Sequence, residues 1–567
     1  MFKSSQLILT IKCAAVTLIL TYIFVASSPV LSKTVHFVNA NGYTLDSDGN
    51  LLQFTDMLVE DGVITAIGTK LGNPKQEDIE IKNLANKTIL PGLIDSHGHI
   101  LRLGATLQEV DLRGSSSEQE AANRVVEFVS GKEMGKKEET NIWIRGDGWN
   151  QELWANRQFP TKASLDKLLP NNPIVLNRID GHAIWVNSKA LELAGVTKDS
   201  VSPAGGEIVK DADGEPTGLL IDNAEFLVTD IIPKASENEL ERQLSLASQH
   251  LLSLGVTSAH DAGISKQVRD FFISKAENNE LQFRIYAMLA ATDPNIISML
   301  KDGHYMDEQQ FLSIRSVKAY GDGALGSRGA ALIEPYSDDP DNYGLLVTAE
   351  ERLPSLFNNI IGANFQLNFH AIGDRANRLA LNQFAKTFEL FPENNQRHRV
   401  EHAQVVAVED IPLFKEYGII PAMQPTHATS DMNMAEDRVG KARLKGAYAW
   451  QTFLKQGSRI AFGSDFPVEL ANPFHGLHAA ITRQDANQQP KDGWISSESV
   501  TRIQALKGFT LDAAYSGYQE EFIGSLEVGK KADFIVIDKD YFKVDESEIR
   551  DIEVLATYID AEPVFVK

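Results

Sequence analysis

Two histidines separated by one glycine, His97 and His99 in LIDSHGHI, follow an apolar run. On an extended strand, residues two apart point to the same side, so this spacing lets both imidazoles grip one ion. Further along the chain, Lys318 in SVKAYGDGALGSRGA, His370 in FQLNFHAIGD, His402 in RVEHAQ and Asp465 in AFGSDFPVE also close short apolar runs. Each has an ordinary structural explanation when taken alone; an Asp after Gly–Ser, for example, caps helices. Four histidines, a lysine and an aspartate at successive strand ends instead suit a borderline divalent ion, zinc first, held by nitrogen and oxygen. The only cysteine, Cys13, lies in the N-terminal leader, so thiolate ligands are excluded from the rest of the chain. An ion in such a site lowers the pKa of a bound water to about 7 and yields hydroxide for attack on a carbonyl. Asp465 is the candidate general base for the proton of that water. A ligand-only role is its alternative.

Positioning these residues requires a repeated strand. Apolar strands are expected at Thr88–His97, Gly255–His260, Arg284–Leu289, Ile314–Tyr320, Phe365–His370, His398–His402, Ile419–Gln424 and Arg459–Asp465. Helix-compatible stretches such as SENELERQLSLASQHLLSL and RANRLALNQFAKTFEL lie between several of them. Strands alternating with helices predict an α/β fold, a (β/α)8 TIM-type barrel, whose sites form at the C-terminal strand ends. Both chain ends are β-branched and divided by turns such as Asp48–Gly49–Asn50 and Asp61–Gly62, which predicts a small β-sandwich domain built from the two together. The expected division is a composite β domain over 33–90 with 520–567, and a barrel over 91–519 carrying an insertion at about 101–236. The insertion, with its own strand PIVLNRID, is placed to cover the barrel mouth. It contributes His182 and Trp149 as substrate-binding candidates, joined by Asp322 and Arg328 after the lysine strand and His427 in QPTHATSD. For each of these five, a packing or surface role is the competing explanation. His260 and Asp261 end a strand with no assigned role.

A chain of 567 residues exceeds one compact core, and its 43% hydrophobic and 23% charged content is that of a globular protein. A net charge of -23 excludes the basic footprint of a nucleic-acid binder and argues against docking on anionic lipid. Residues 1–32 read as a secretory signal peptide: Lys3 and Lys12, the apolar run CAAVTLILTYIFVA, then SSPVLSK. Cleavage is expected after Ser32, with Ala26–Ser28 as the alternative site. The mature protein is then periplasmic or extracellular, without stable membrane association. An uncleaved N-terminal anchor is the other reading.

PGLIDSHGH, KAYGDGALGSR, FHAIGD, VEHAQ, QPTHATSD, RLKGAYAW and FGSDFPVE together resemble the amidohydrolase superfamily. More narrowly they are similar to its YtcJ-like branch, which includes N-substituted formamide deformylases. The resemblance runs from about Val35 to the C-terminus, where GSLEVGKKADFIVID is similar to the return into the β domain. It implies one or two divalent ions, the first held by His97, His99 and Asp465 and the second by His370 and His402. Lys318 falls where binuclear members carry a carboxylated lysine; an unmodified lysine beside a single ion stays open. The expected reaction is hydrolysis of a non-peptide C–N bond in an amide, formamide or cyclic amide, with a small-molecule amide as partner. Ester or lactone hydrolysis on the same centre is one alternative, and a catalytically silent envelope binding protein is another. A homodimer is left open as the assembly.

Overall fold

The computed structural model describes residues 33–72, 79–131 and 143–567. The leader expected over 1–32 lies outside the described residues.

Eight parallel strands form the central sheet: β1 (Leu93–Gly98), β2 (Val256–Ile264), β3 (Arg284–Ala290), β4 (Leu312–Tyr320), β5 (Gln366–Ala371), β6 (Arg399–His402), β7 (Ile420–Met423) and β8 (Ala461–Phe462). Neighbours in this order pair in parallel register, for example Lys318 with Asn368 and Ala371 with His402. Closure falls between β1 and β8. There the Asp465 amide donates to the His97 carbonyl at 2.7 Å, and the His99 amide to the Phe466 carbonyl at 2.8 Å. Asp95 locks this seam by accepting the Ser464 hydroxyl at 2.6 Å and the His97 amide at 3.1 Å. The expected barrel is therefore present, and strands buried along nearly their whole length explain its continuous apolar runs.

The first expected strand is two strands. Thr88–Pro91 pairs antiparallel with Phe534–Ile537, outside the barrel. The chain crosses into β1 at Gly92, where a Cβ would lie 2.2 Å from Thr257 Oγ1. No side chain fits this crossing.

Helices cover the barrel because each has one apolar face. In Glu237–Ser253, Leu240, Leu244, Ala247 and Leu251 are buried at helical spacing, and Ser236 with Glu239 forms a capping box at the start. The chain ends meet in two further sheets. One holds Thr34–Val38, Asp56–Glu60, Val63–Gly68 and Ile79–Asn83; the other joins Asn41–Leu45, Leu51–Phe54 and Thr88–Pro91 to Phe534–Ile537, Val554–Ile559 and Glu562–Val566. Val35, Phe37, Met57, Ile89 and Phe534 form the core between them. Arg284 of β3 ties the barrel to this domain, donating from Nε to Asp533 at 2.7 Å in full burial.

Between β1 and β2 the insertion forms its own six-stranded sheet from Val110–Asp111, Ile144–Trp149, Ile174–Arg178, Ala183–Val186, Gly206–Lys210 and Pro216–Asp222. Separate apolar clusters lie around Trp149 and Trp185 and around Ile184 and Leu220. The insertion thus has a core of its own.

Candidate metal centre

Three donor groups converge at the C-terminal strand ends. Ligand atoms of His97, His402 and Asp465 all lie within 4.8 Å of one another. His97 comes from β1 and His402 from the end of β6, while Asp465 follows β8. Two of them need unusual backbone: His402 has φ 72° and Asp465 φ 62°. Non-glycine residues hold this left-handed conformation at a cost, and such outliers collect at functional sites. At β6 the turn has a specific result. Adjacent residues of a strand normally face opposite sides, yet both Glu401 and His402 contact the centre.

Each imidazole is oriented from behind. His97 Nδ1 donates to Glu401 Oε2, and His402 Nδ1 donates to Gln424 Oε1 at 2.8 Å. This leaves Nε2 of each ring as the donor atom for an ion, the arrangement that fixes tautomer and basicity in histidine–metal sites. Glu401 is in turn paired with Arg399 at 2.7 Å. Burial pushes the His97 pKa down to about 4, and pushes His370 and His402 well below the ordinary histidine value. These rings are accordingly neutral at pH 7, the state that ligates metal. Burial pushes the Asp465 carboxyl up, but the surrounding imidazoles outweigh it and hold it well below the usual carboxylate range. Asp465 Oδ1 and His370 Nε2 are buried without a hydrogen-bond partner. A neutral imidazole pair, an ionised carboxylate and orphaned donor atoms fit a divalent cation.

The other expected ligands flank this triad. His99 Nε2 stands 3.3 Å from Asp465 Oδ1, and Lys318 Nζ 3.0 Å from His97 Nε2. Burial lowers the Lys318 pKa to about 8. The His370 ring lies 4.6 Å from that of His402, with Nε2 3.5 Å from Asp322 Oδ1. The geometry thus brings His402 into the cluster of His97 and Asp465, with the His370 ring beside it.

Two cavities, of about 660 and 970 Å³, meet at this centre and share His182, His370, His402 and Asp465 in their walls. His427 lines the smaller, 3.7 Å from Asp465 Oδ2. His182 reaches in from the insertion. Burial acts to lower its pKa, but the hydrogen bond to Asp222 and nearby carboxylates outweigh this and raise it to about 9. Three expected pocket residues do not line either cavity. Trp149 is fully buried in the insertion core with Nε1 donating to the Leu176 carbonyl at 2.8 Å, because the insertion's sheet needs its bulk. Asp322 is consumed by backbone, accepting the amides of Ala331, Ile372 and Gly373 at 2.8, 3.0 and 2.8 Å. Arg328 pairs with Asp338 at 2.9 Å.

Sequence reasoning did not single out Glu401, Gln424, Arg399 or Asp222. Glu401 had one local signal, its place beside His402 in RVEHAQ, but strand alternation argues against both side chains facing inward.

A parallel barrel with a histidine–carboxylate centre at its C-terminal strand ends defines a metal-dependent hydrolase architecture. The amidohydrolase family matches residues 80–565, and the chain belongs to that family. It is 32% identical to YtcJ of Bacillus subtilis over 539 residues, covering 93% of this chain and 98% of that protein. It is 24% identical to an N-substituted formamide deformylase of Arthrobacter pascens, covering 93% and 97% of the two chains. Among solved structures, an uncharacterized metal-dependent hydrolase from Pyrococcus horikoshii superposes with a TM-score of 0.72 at 26% identity, over 91% of this chain and 99% of that one.

Proposed function

We propose that this protein hydrolyses a non-peptide C–N bond, an amide or formamide, with a divalent ion, zinc first, held by His97, His402 and Asp465. The observation that carries this reading is the convergence of those donor atoms, two of them on left-handed backbone, where the two cavities meet. The formamide deformylase among its relatives supports the choice of bond. A bound ion would supply a water of lowered pKa and an electrophile for the carbonyl. Asp465 Oδ1 faces His97 and His99, whereas Oδ2 faces His427 and the smaller cavity. Oδ2 is the atom placed to take the proton of the attacking water and pass it to the leaving nitrogen. Glu401 and Gln424 hold the imidazoles in the tautomer this requires. The lowered Lys318 pKa supports its carboxylation, since only a neutral amine adds carbon dioxide. The basic and apolar start of the chain supports action outside the cytoplasm.

Metal analysis and turnover test this together. Purified protein is expected to bind one or two equivalents of divalent ion and to hydrolyse p-nitroformanilide. Asp465→Asn should lose about 10²–10⁴-fold in kcat while remaining folded. Protein that takes up no ion, or an Asp465→Asn variant as active as wild type, would overturn the assignment.

A further inference from the structure

The smaller cavity carries two carboxylates that the hydrolytic centre does not use. Asp431 ends the helix Pro425–Asp431, and Glu469 follows β8; both line this cavity and neither lines the larger one. Asp431 is held by one oxygen only. Its Oδ2 accepts from the Tyr448 hydroxyl and from Gln404 Nε2, each at 2.8 Å. Tyr448 is itself fixed, since it is buried and its carbonyl accepts from Arg483 Nη1 at 3.0 Å. Among the described residues Asp431 Oδ1 has no hydrogen-bond partner, so the carboxylate is anchored with one oxygen left for a ligand. Glu469 accepts the hydroxyl of the adjoining Ser430 on Oε1, which leaves its Oε2 in the same state.

These two charges lack a counter-ion. The other carboxylates of the cavity are matched, Asp180 by Arg178 and Glu152 by Arg438, while Asp465 faces the metal centre. Among the described residues no lysine or arginine forms an ion pair with Asp431 or Glu469; Arg550 senses the Glu469 charge but is not in the cavity wall. Burial, and after it the charges of Glu469 and Asp180, raise the Asp431 pKa to about 6 against the pull of His427 and Tyr448. Negative charge gathered in this way is relieved when a cation enters. The same wall holds His370 Nε2, buried without a hydrogen-bond partner, and apolar surface from Leu325, Ile372 and Met434 that suits a methylene chain.

Orientation of the substrate follows from Asp465. Its Oδ1 faces His97 and His99, whereas Oδ2, the oxygen assigned to carry the proton to the leaving nitrogen, faces His427 and the smaller cavity. The leaving nitrogen therefore lies on the side of the smaller cavity, and its substituent extends there. We propose that the smaller cavity takes the amine half of the substrate, and that Asp431 Oδ1 together with Glu469 receives a cationic nitrogen carried on that half. This rests on the hydrolase reading above. The substrate class is then an acylated or formylated diamine, whose free end is an ammonium or guanidinium group. Hydrogen bonds between such a group and a carboxylate are about twice as strong as neutral ones, so Asp431 and Glu469 determine specificity.

The test uses zinc-loaded full-length protein and formamides of graded chain length whose nitrogen carries an aminoalkyl, an alkyl or a carboxyalkyl chain. Formate release should give the best aminoalkylformamide a kcat/KM at least about tenfold above the alkylformamide of matched length. Asp431→Asn keeps the side chain's shape and can still accept from Tyr448 and Gln404. It should bring that ratio to within about twofold of unity, and Glu469→Gln should lower it in the same direction. A ratio taken within one variant does not depend on how much of the protein is folded or loaded with zinc. Independently of turnover, n-butylguanidinium should bind wild type at least about tenfold tighter than its neutral counterpart n-butylurea by calorimetry, a difference that Asp431→Asn removes. Wild-type protein that favours the alkyl or carboxyalkyl chain, a cation preference that survives in Asp431→Asn, or one that appears only when the amino group is on the acyl half would overturn the assignment. Protein that takes up zinc but hydrolyses no formamide counts against the hydrolase reading, and the guanidinium and urea comparison then decides the role of Asp431 by itself.

Discussion

Replacing Glu401 by Gln keeps the side chain's shape and removes its charge. In the native protein Glu401 is fully buried, accepts from His97 Nδ1 and pairs with Arg399 at 2.7 Å. Arg399 also donates to the Ser96 carbonyl at 2.7 Å and to His260 Nδ1 at 3.0 Å, so it has no route to solvent. Burial acts to raise the Glu401 pKa, but Arg399 and His97 outweigh it and hold it at about 2. The variant leaves the Arg399 charge uncompensated inside the barrel, and breaking a buried pair from one side costs about 3–5 kcal/mol. It also weakens the hold on His97. Loss of such an orienting group lowers metal affinity about 10–100-fold. Zinc affinity measured by competition with a chromophoric chelator, and thermal unfolding of the metal-free protein, read the two effects separately. The stability gap also has a pH signature. A carboxyl held at about 2, against an ordinary 4.5, stabilises the fold above pH 4.5 and loses that contribution as pH falls through 2. The gap between wild type and Glu401→Gln should therefore close in acid. A folded variant whose zinc affinity stays within about twofold of wild type would refute the role assigned to Glu401.

Asp261, raised to about 7 by burial against an ordinary 3.8, favours folding in its protonated form, so its contribution is full below pH 3.8 and lost as pH rises through 7. Asp261→Asn should flatten the decline in stability between these limits and raise stability at pH 8 by up to about 4 kcal/mol, read by denaturant titration at several pH values. Gly463→Ala would set a Cβ 2.6 Å from the His97 amide nitrogen and 2.7 Å from Asp95 Oδ1. The β1–β8 seam must then shift, and zinc titration and thermal unfolding should both show the loss; an unchanged zinc affinity would show the seam to be slack. Trp149→Ala empties the insertion core and should cost about 3–5 kcal/mol by denaturant titration, with zinc content unaltered.

The barrel and most of the side chains gathered at its C-terminal end were legible in the sequence because their signals are local. A strand buried on both faces reads as an apolar run, and the residue closing that run falls at the strand end whatever the rest of the chain does. His97, His370, His402 and Asp465 were found in this way. Thr88–His97 was read as one strand because Gly92 carries no mark of the Thr257 side chain that forbids a larger residue there. Trp149, Asp322 and Arg328 had the residue types of pocket groups, but their burial and partners are settled by packing with other segments.

The sequence by itself determined which side chains can chelate and the order in which the barrel presents them. Only the tertiary structure decided that Glu401, 304 residues from His97, is its orienting partner, and that Asp222 of the insertion sits between two glycines of the barrel. The physical reason is the backbone. A φ of 72° at His402 turns it away from strand alternation so that it and Glu401 both meet the centre, and nothing in a linear pattern of residue types records that turn.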